Sequence, residues 1–191
     1  MKRDKEKWNR RYSRDDRTIP EPDPFLVENS SFLTAGTALD LASGLGANAL
    51  FLARHGYRVD AFDISFPALS RLKAEADRLC LDVRPVVADL DDYPLPTDRY
   101  DLAAIFHFFS PRIMSGIQNC LKSGGLLICA TYNYRHASIM PEFNEKYLVP
   151  RGGLTAYIRG LDIVMHESEA GDAGNISRIV ARKPNDHDTS R

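Results

Sequence analysis

The residues best suited to chemistry lie in one run, Ala38-Leu39-Asp40-Leu41-Ala42-Ser43-Gly44-Leu45-Gly46-Ala47-Asn48-Ala49, followed by Asp63 at the end of the next apolar stretch. Gly44 to Ala49 fits Gly-x-Gly-x-x-Ala, a turn that brings backbone close to a nucleotide-like cofactor at a helix start. Asp63 lies 19 residues beyond Gly44. That is about the spacing of an acid that accepts both hydroxyls of a ribose. On these features alone a nicotinamide cofactor is open.

Asp40 argues against it. A pyrophosphate seeks N–H groups and a positive helix N-terminus, and a carboxylate at the end of the first strand repels it. S-adenosylmethionine presents a cationic sulfur, an ammonium and a carboxylate. Asp40 suits the ammonium, and the N–H groups of the turn are expected to take the carboxylate. Asp89 closes Val-Val-Ala-Asp-Leu and is a candidate acceptor for the adenine amino group, with a turn cap as the alternative. Phe106 and His107 close a fourth apolar run, where the reactive methyl is expected. The alternative for His107 is an ordinary half-buried histidine.

These residues need strand ends to stand on, and the pattern supplies them. Strands are expected at Ala38–Leu41, Arg58–Asp63, Val83–Ala88, Asp101–Phe106 and Leu126–Tyr132. Helices fall between them: Ala47–His55 stopped by Gly56, a helix capped by Ser65 with Pro67 in its first turn, and one through Ile113, Met114, Ile117 and Leu121. Pro85 demotes the third strand to an edge. Runs 161–166 and 175–183 have no helix between them and read as an antiparallel hairpin. The expectation is an α/β, Rossmann-like, seven-stranded, mostly parallel sheet with a C-terminal antiparallel hairpin and helices on both faces. Ligands of such sheets bind beyond the C-terminal strand ends.

The 191 residues suit one domain, with 43% hydrophobic and 27% charged residues. A net charge of -1 favours neither nucleic acid nor an acidic membrane, and no apolar run reaches the roughly 18 residues of a span. The charged start argues against a secretory signal. Cys80, Cys120 and Cys129 form no Cys-x-x-Cys pair, so neither a disulfide framework nor a zinc site is expected, and a reducing cytoplasm is. His55, His107, His136, His166 and His187 lack metal-ligand spacing, so no metal is expected. Residues 1–17 hold eight basic and four acidic residues, with Trp8 and Tyr12 on one helical face. They read as a docked helix or a lid over the cofactor, and Pro20, Pro22 and Pro24 follow as an extended connector. The domain reading is 1–36 lid and connector, 37–184 cofactor-binding domain, and 185–191 flexible tail.

With these residues placed, the chain resembles class I S-adenosylmethionine-dependent methyltransferases, most of all the tellurite-resistance-type and thiopurine-type branch. Lys-Trp-Asn-Arg-Arg-Tyr at 7–12 resembles the branch's Trp-x-x-Arg-Tyr, and Pro24-Phe25-Leu26 its Pro-Phe-Leu. Leu39 to Ala49 is similar to its Leu-Asp-Leu-Gly-Cys-Gly-x-Gly-Arg-Asn-Ala. Leu121-Lys122-Ser123-Gly124-Gly125 resembles its Leu-Lys-Pro-Gly-Gly. Tyr147 to Pro150 and Val180 to Pro184 also resemble segments of the branch. The departures are Ala42 for glycine, Ser43 for cysteine, Ala47 for arginine, and His107 displaced by one position. The resemblance implies a cofactor set of Asp40, Ala42, Ser43, Gly44, Gly46, Asn48, Asp63, Ile64, Ser65, Asp89, Leu90, Phe106 and His107. It implies direct in-line methyl transfer to a small molecule, leaving S-adenosylhomocysteine. His107 or Tyr134 are the candidate proton acceptors where the methyl acceptor is a hydroxyl or amine, and Tyr132 to His136 either lines the acceptor pocket or is a polar loop. The alternatives are a nicotinamide-binding oxidoreductase and a non-catalytic adenosylmethionine-binding protein. The oligomeric state is not readable from the sequence.

Overall fold

In the computed structural model, residues 2–13, 18–172 and 174–185 are described, and most of the expected tail lies outside them. The chain divides into two compact units, Met1–Pro94 and Leu95–Arg191. Its seven strands belong to a mixed sheet, in which the expected parallel core and terminal antiparallel hairpin are both found.

The first unit opens with α1 (Lys2–Ser13) and the short α2 (Pro24–Glu28). The Asp23 side chain caps α2 by accepting the Phe25 N–H, with Pro24 in the first turn, where its missing N–H costs nothing. Three strands follow, β1 (Gly36–Leu41), β2 (Tyr57–Asp63) and β3 (Val83–Val87), in the order β3-β2-β1 and all parallel. Their faces are apolar on both sides: Leu39, Leu41, Val59 and Ala61 are fully buried. Such continuous apolar runs suit parallel strands covered on both faces. α3 (Ala47–Arg54) and α4 (Phe66–Arg78) connect them and pack against strands of the unit. Pro85 sits in the edge strand β3, opposite Ala61, as expected. Asp60 and Arg84 stand opposite each other on β2 and β3 and form an ion pair at 2.6 Å.

The second unit holds β4 (Tyr100–Phe106), β5 (Leu121–Tyr132), β6 (Asp162–Ala170) and β7 (Ile176–Arg182), in the order β4-β5-β7-β6. β4 and β5 are parallel, while β7 runs antiparallel to both β5 and β6. α5 (Pro111–Cys120) joins β4 to β5, and α6 (His136–Ile139) follows β5. Two expectations shift. Leu121 begins β5 rather than ending the helix, because the strand takes in Gly124 and Gly125 with a register irregularity opposite Tyr100 and Leu102. β6 runs on to Ala170, and its ladder to β7 carries two irregularities. Cys120 and Cys129 are core thiols, whereas Cys80 is exposed. Among the described residues no helix is long and apolar enough to cross a membrane.

Candidate active site

The site of the first unit is built on the turn between β1 and α3. Ala42 leaves β1 with φ 57°, Gly44 has φ 54° and Gly46 φ 81°. The left-handed conformation is open to glycine and costly for a residue with a Cβ. Ala42 therefore carries strain at the position where the resembling sequences have glycine. Gly46 is required for a second reason: a Cβ there would lie 2.2 Å from Leu72 Cδ1 of α4. At Gly44 a Cβ would come within 2.9 Å of the Tyr12 hydroxyl. Helix α1 thus lays Tyr12 over the glycine turn. The Tyr12 ring stacks on Trp8 at 5.9 Å, and α1 also packs on α4.

Asp63 ties this turn to the end of β2. Its Oδ2 accepts the Gly44 N–H at 2.8 Å and its Oδ1 accepts the Ser65 N–H at 2.8 Å. A carboxylate has about four acceptor positions, so these N–H bonds leave acceptor capacity for a ribose hydroxyl. Burial raises the Asp63 pKa, opposed by the N–H bonds from Ser65, Gly44 and Ile64. Two more N–H groups of the turn are also engaged: Ser43 donates to the Phe62 carbonyl at 3.0 Å and Gly46 to the Ser43 carbonyl at 2.8 Å. This corrects one expectation. The N–H groups of Ser43, Gly44 and Gly46 hold the turn together and are not left over as a cradle for a carboxylate.

Asp40 is the unusual group. It is 1% exposed, and its Oδ2 has no hydrogen-bond partner. Burial first, then the nearby Asp63 charge, push its pKa up to about 8, against an N–H bond from Ala49. A buried acceptor without a partner is costly and points to a donor that arrives with a ligand. The Ser43 hydroxyl is a second buried polar atom without a partner on the same turn. An ammonium-bearing cofactor fits both the charge and the hydrogen-bonding deficit, so Asp40 fits the ammonium of S-adenosylmethionine.

The remaining expected residues divide by role. Asn48 is half-buried, and its Oδ1 accepts the Asp23 N–H at 2.8 Å, anchoring the connector beside the turn. Ser65 is fully buried, and its hydroxyl caps α4 by accepting the Ala68 N–H at 3.4 Å. Asp89 makes the turn contact foreseen as its alternative, accepting the Asp91 N–H at 3.1 Å. Leu90 is buried and Ile64 half-buried beside the β2 end. Phe66, the first residue of α4, is not among the expected residues, yet it is 64% exposed immediately after Asp63-Ile64-Ser65. An aromatic three residues after a candidate acid, next to a capping serine, was the signal the sequence carried.

In the second unit, Phe106 is buried at the end of β4, and His107 follows it, exposed, with φ 55°. The His107 N–H donates to the Ala130 carbonyl at 2.9 Å, which holds this sparsely populated conformation. Its ring lies 5.2 Å from Tyr132. Tyr134 stands elsewhere: its hydroxyl bonds Glu169 at 3.2 Å and its ring lies under the Arg151 guanidinium at 4.3 Å. The structure brings His107 together with Tyr132 and His136 instead. Burial lowers the His136 pKa, assisted by the His107 charge.

Residues 38–125 match the family described as a methyltransferase domain. No curated protein matches the chain in sequence. Solved structures match over most of its length. The structure titled for conversion of a disulfide bond into a thioacetal group during echinomycin biosynthesis is 20% identical, over 95% of this chain and 93% of that one, with a TM-score of 0.74. TehB from Haemophilus influenzae is 16% identical, over 92% and 67%, with a TM-score of 0.72. Geranyl diphosphate C-methyltransferase from Streptomyces coelicolor A3(2), in complex with Mg2+, geranyl diphosphate and S-adenosyl-L-homocysteine, is 16% identical, over 94% and 98%, with a TM-score of 0.69. At such identities the likeness establishes the fold. The chain has the Rossmann-like fold of S-adenosylmethionine-dependent methyltransferases, and its residues 38–125 match a methyltransferase domain.

Proposed function

We propose that this protein is an S-adenosylmethionine-dependent methyltransferase acting on a small molecule by direct in-line transfer. The observation that carries the reading is the buried, unpartnered Asp40 Oδ2 at the end of β1, beside the glycine turn. When bound, S-adenosylmethionine supplies an activated methyl group on a sulfonium, so the protein's task is to bind, orient and exclude water. Asp40 holds the ammonium, and the free lone pairs of Asp63 receive the ribose. Tyr12 and α1 cover the turn, while Phe66, Asp89 and Leu90 stand at the adenine end.

The tellurite-resistance-type and thiopurine-type branch is the proposed relationship, supported by the quoted motifs and the shared fold with TehB. A cytoplasmic location and a small-molecule acceptor, with neither nucleic acid nor membrane as partner, complete the proposal. The nicotinamide reading is disfavoured by Asp40, whose carboxylate repels a pyrophosphate, and by the turn N–H groups already used within the protein. Calorimetric titration separates the readings. S-adenosylmethionine and S-adenosylhomocysteine are expected to bind and NADH is not. NADH binding without adenosylmethionine binding overturns the proposal.

A further inference from the structure

β6 closes one side of the sheet, and among the described residues β7 is the one strand beside it. From Asp162 to Glu169 every residue of β6 is exposed. Three consecutive ones are apolar: Ile163 at 48%, Val164 at 46% and Met165 at 37%. Their neighbours on β7 are covered, with Ile179, Val180 and Ala181 fully buried. The cause lies in the chain before β6. The longest helix within residues 133–161 is the four-residue α6, too short to cover a strand of nine residues.

Edge strands ordinarily discourage pairing with another chain by short length, lysine, proline or a bulge. β6 is long and holds neither lysine nor proline. Its first bulge falls between Ile163 and Met165, so the residue left out of the ladder to β7 is Val164, which is apolar and exposed. The two glutamates of the strand pair within the chain, Glu167 with Arg178 at 3.5 Å and Glu169 with Arg135 at 2.7 Å. The pattern that remains is an apolar centre flanked by Asp162 and His166. An edge of this kind is a template for a further strand.

The spacing selects the occupant. Ile163 and Met165 lie one position either side of Val164, and Asp162 and His166 two. An antiparallel copy of β6 turned about Val164 sets Val164 against Val164, Ile163 against Met165, and Asp162 against His166. Apolar residues then meet apolar ones, and each carboxylate meets an imidazole. A slip of one residue, centred between Val164 and Met165, opposes Asp162 to Glu167 and Ile163 to His166. Parallel pairing in register opposes Asp162 to Asp162. Like charges directly opposite disfavour both. We propose that β6 pairs edge to edge with β6 of a second copy, antiparallel about Val164, so that the two sheets join in a two-fold dimer. One strand pair is a small contact, so association is expected in the micromolar range. The dimer does not depend on the methyltransferase reading.

Sedimentation velocity of the full chain is expected to show a dimer that forms with rising concentration. Val164→Lys and Val164→Glu each set like charges face to face at the two-fold axis, and each is expected to raise the dimer Kd about tenfold or more. Val164 is exposed, so both variants are expected to keep the Tm of the unaltered chain. An equimolar mixture of the two variants sets Lys against Glu at the axis and is expected to associate again, as a heterodimer. Only a register that opposes position 164 to itself predicts that rescue. An unaltered chain that stays monomeric leaves β6 to a different partner and overturns the proposal. A dimer that both variants retain, or a mixture that fails to associate, overturns it as well.

Discussion

The Asp63 carboxylate holds the Gly44 amide at 2.8 Å while its other oxygen holds the Ser65 amide at the same distance. One side chain at the end of β2 thus fixes both the glycine turn and the start of α4. Asp63→Asn leaves one of these N–H groups facing an amide NH2. An unsatisfied buried donor costs about 1–3 kcal/mol. Urea unfolding should show a loss of that size, and calorimetry a fall in S-adenosylmethionine affinity of more than about tenfold, 1.4 kcal/mol being a factor of ten.

Asp40 makes cofactor capture depend on pH. With its pKa at about 8, the ligand-free protein carries Asp40 protonated at neutral pH. An arriving ammonium favours the carboxylate, so binding releases a proton. Affinity for S-adenosylmethionine should rise with pH from 6 towards about 8, and level off as the ligand's own α-amino group begins to deprotonate near the same pH. Asp40→Asn should flatten that rise and weaken binding throughout. Calorimetry in buffers of different ionisation enthalpy reads the proton release directly.

The same residue sets a stability trend. Asp40 and Asp63 both have folded-state pKa values above the unfolded value of 3.8. The folded chain then holds more protons than the unfolded one, so both contributions are fully present below 3.8; that of Asp40 is lost as pH rises through about 8, and that of Asp63 as pH rises through its own raised folded value. Asp40→Asn should be more stable than the unaltered protein at pH 9, measured by denaturant midpoint. An unchanged midpoint there contradicts the assignment.

Ala42→Gly should stabilise the fold by about 0.5–1 kcal/mol. Left-handed strain of about 1–2 kcal/mol is removed, and about 0.4–1 kcal/mol returns through the freer unfolded chain. For a chain of this size that is a rise in Tm of roughly 1–4 °C.

Gly46→Ala should destabilise by about 2–3 kcal/mol, since the new Cβ meets Leu72 and the backbone sits at φ 81°. Combining it with Leu72→Ala removes the steric part, so the pair should cost less than the sum of the two single changes. Strict additivity in thermal unfolding would show that Leu72 is not the obstacle.

Sequence patterning by itself determined the strand and helix alternation, the terminal hairpin, the edge position of Pro85, and the cap at Ser65. These follow from periodicity, proline chemistry and capping residues, which act over a few positions and are legible locally. It also marked Asp40, Gly44, Gly46 and Asp63 as a group, because their spacing is fixed by one strand–turn–helix unit. What it left open depended on residues distant along the chain. Only tertiary structure placed Tyr12 over Gly44, since that contact joins α1 to a turn some thirty residues on. It spent the turn amides on Asp63 and the Phe62 carbonyl, and left Asp40 without a donor. Tyr134 was separated from the ring cluster in favour of His136, whose partner Asn175 lies 39 residues away. Burial, and with it the charge state of Asp40, is a sum over neighbours that no short segment encodes.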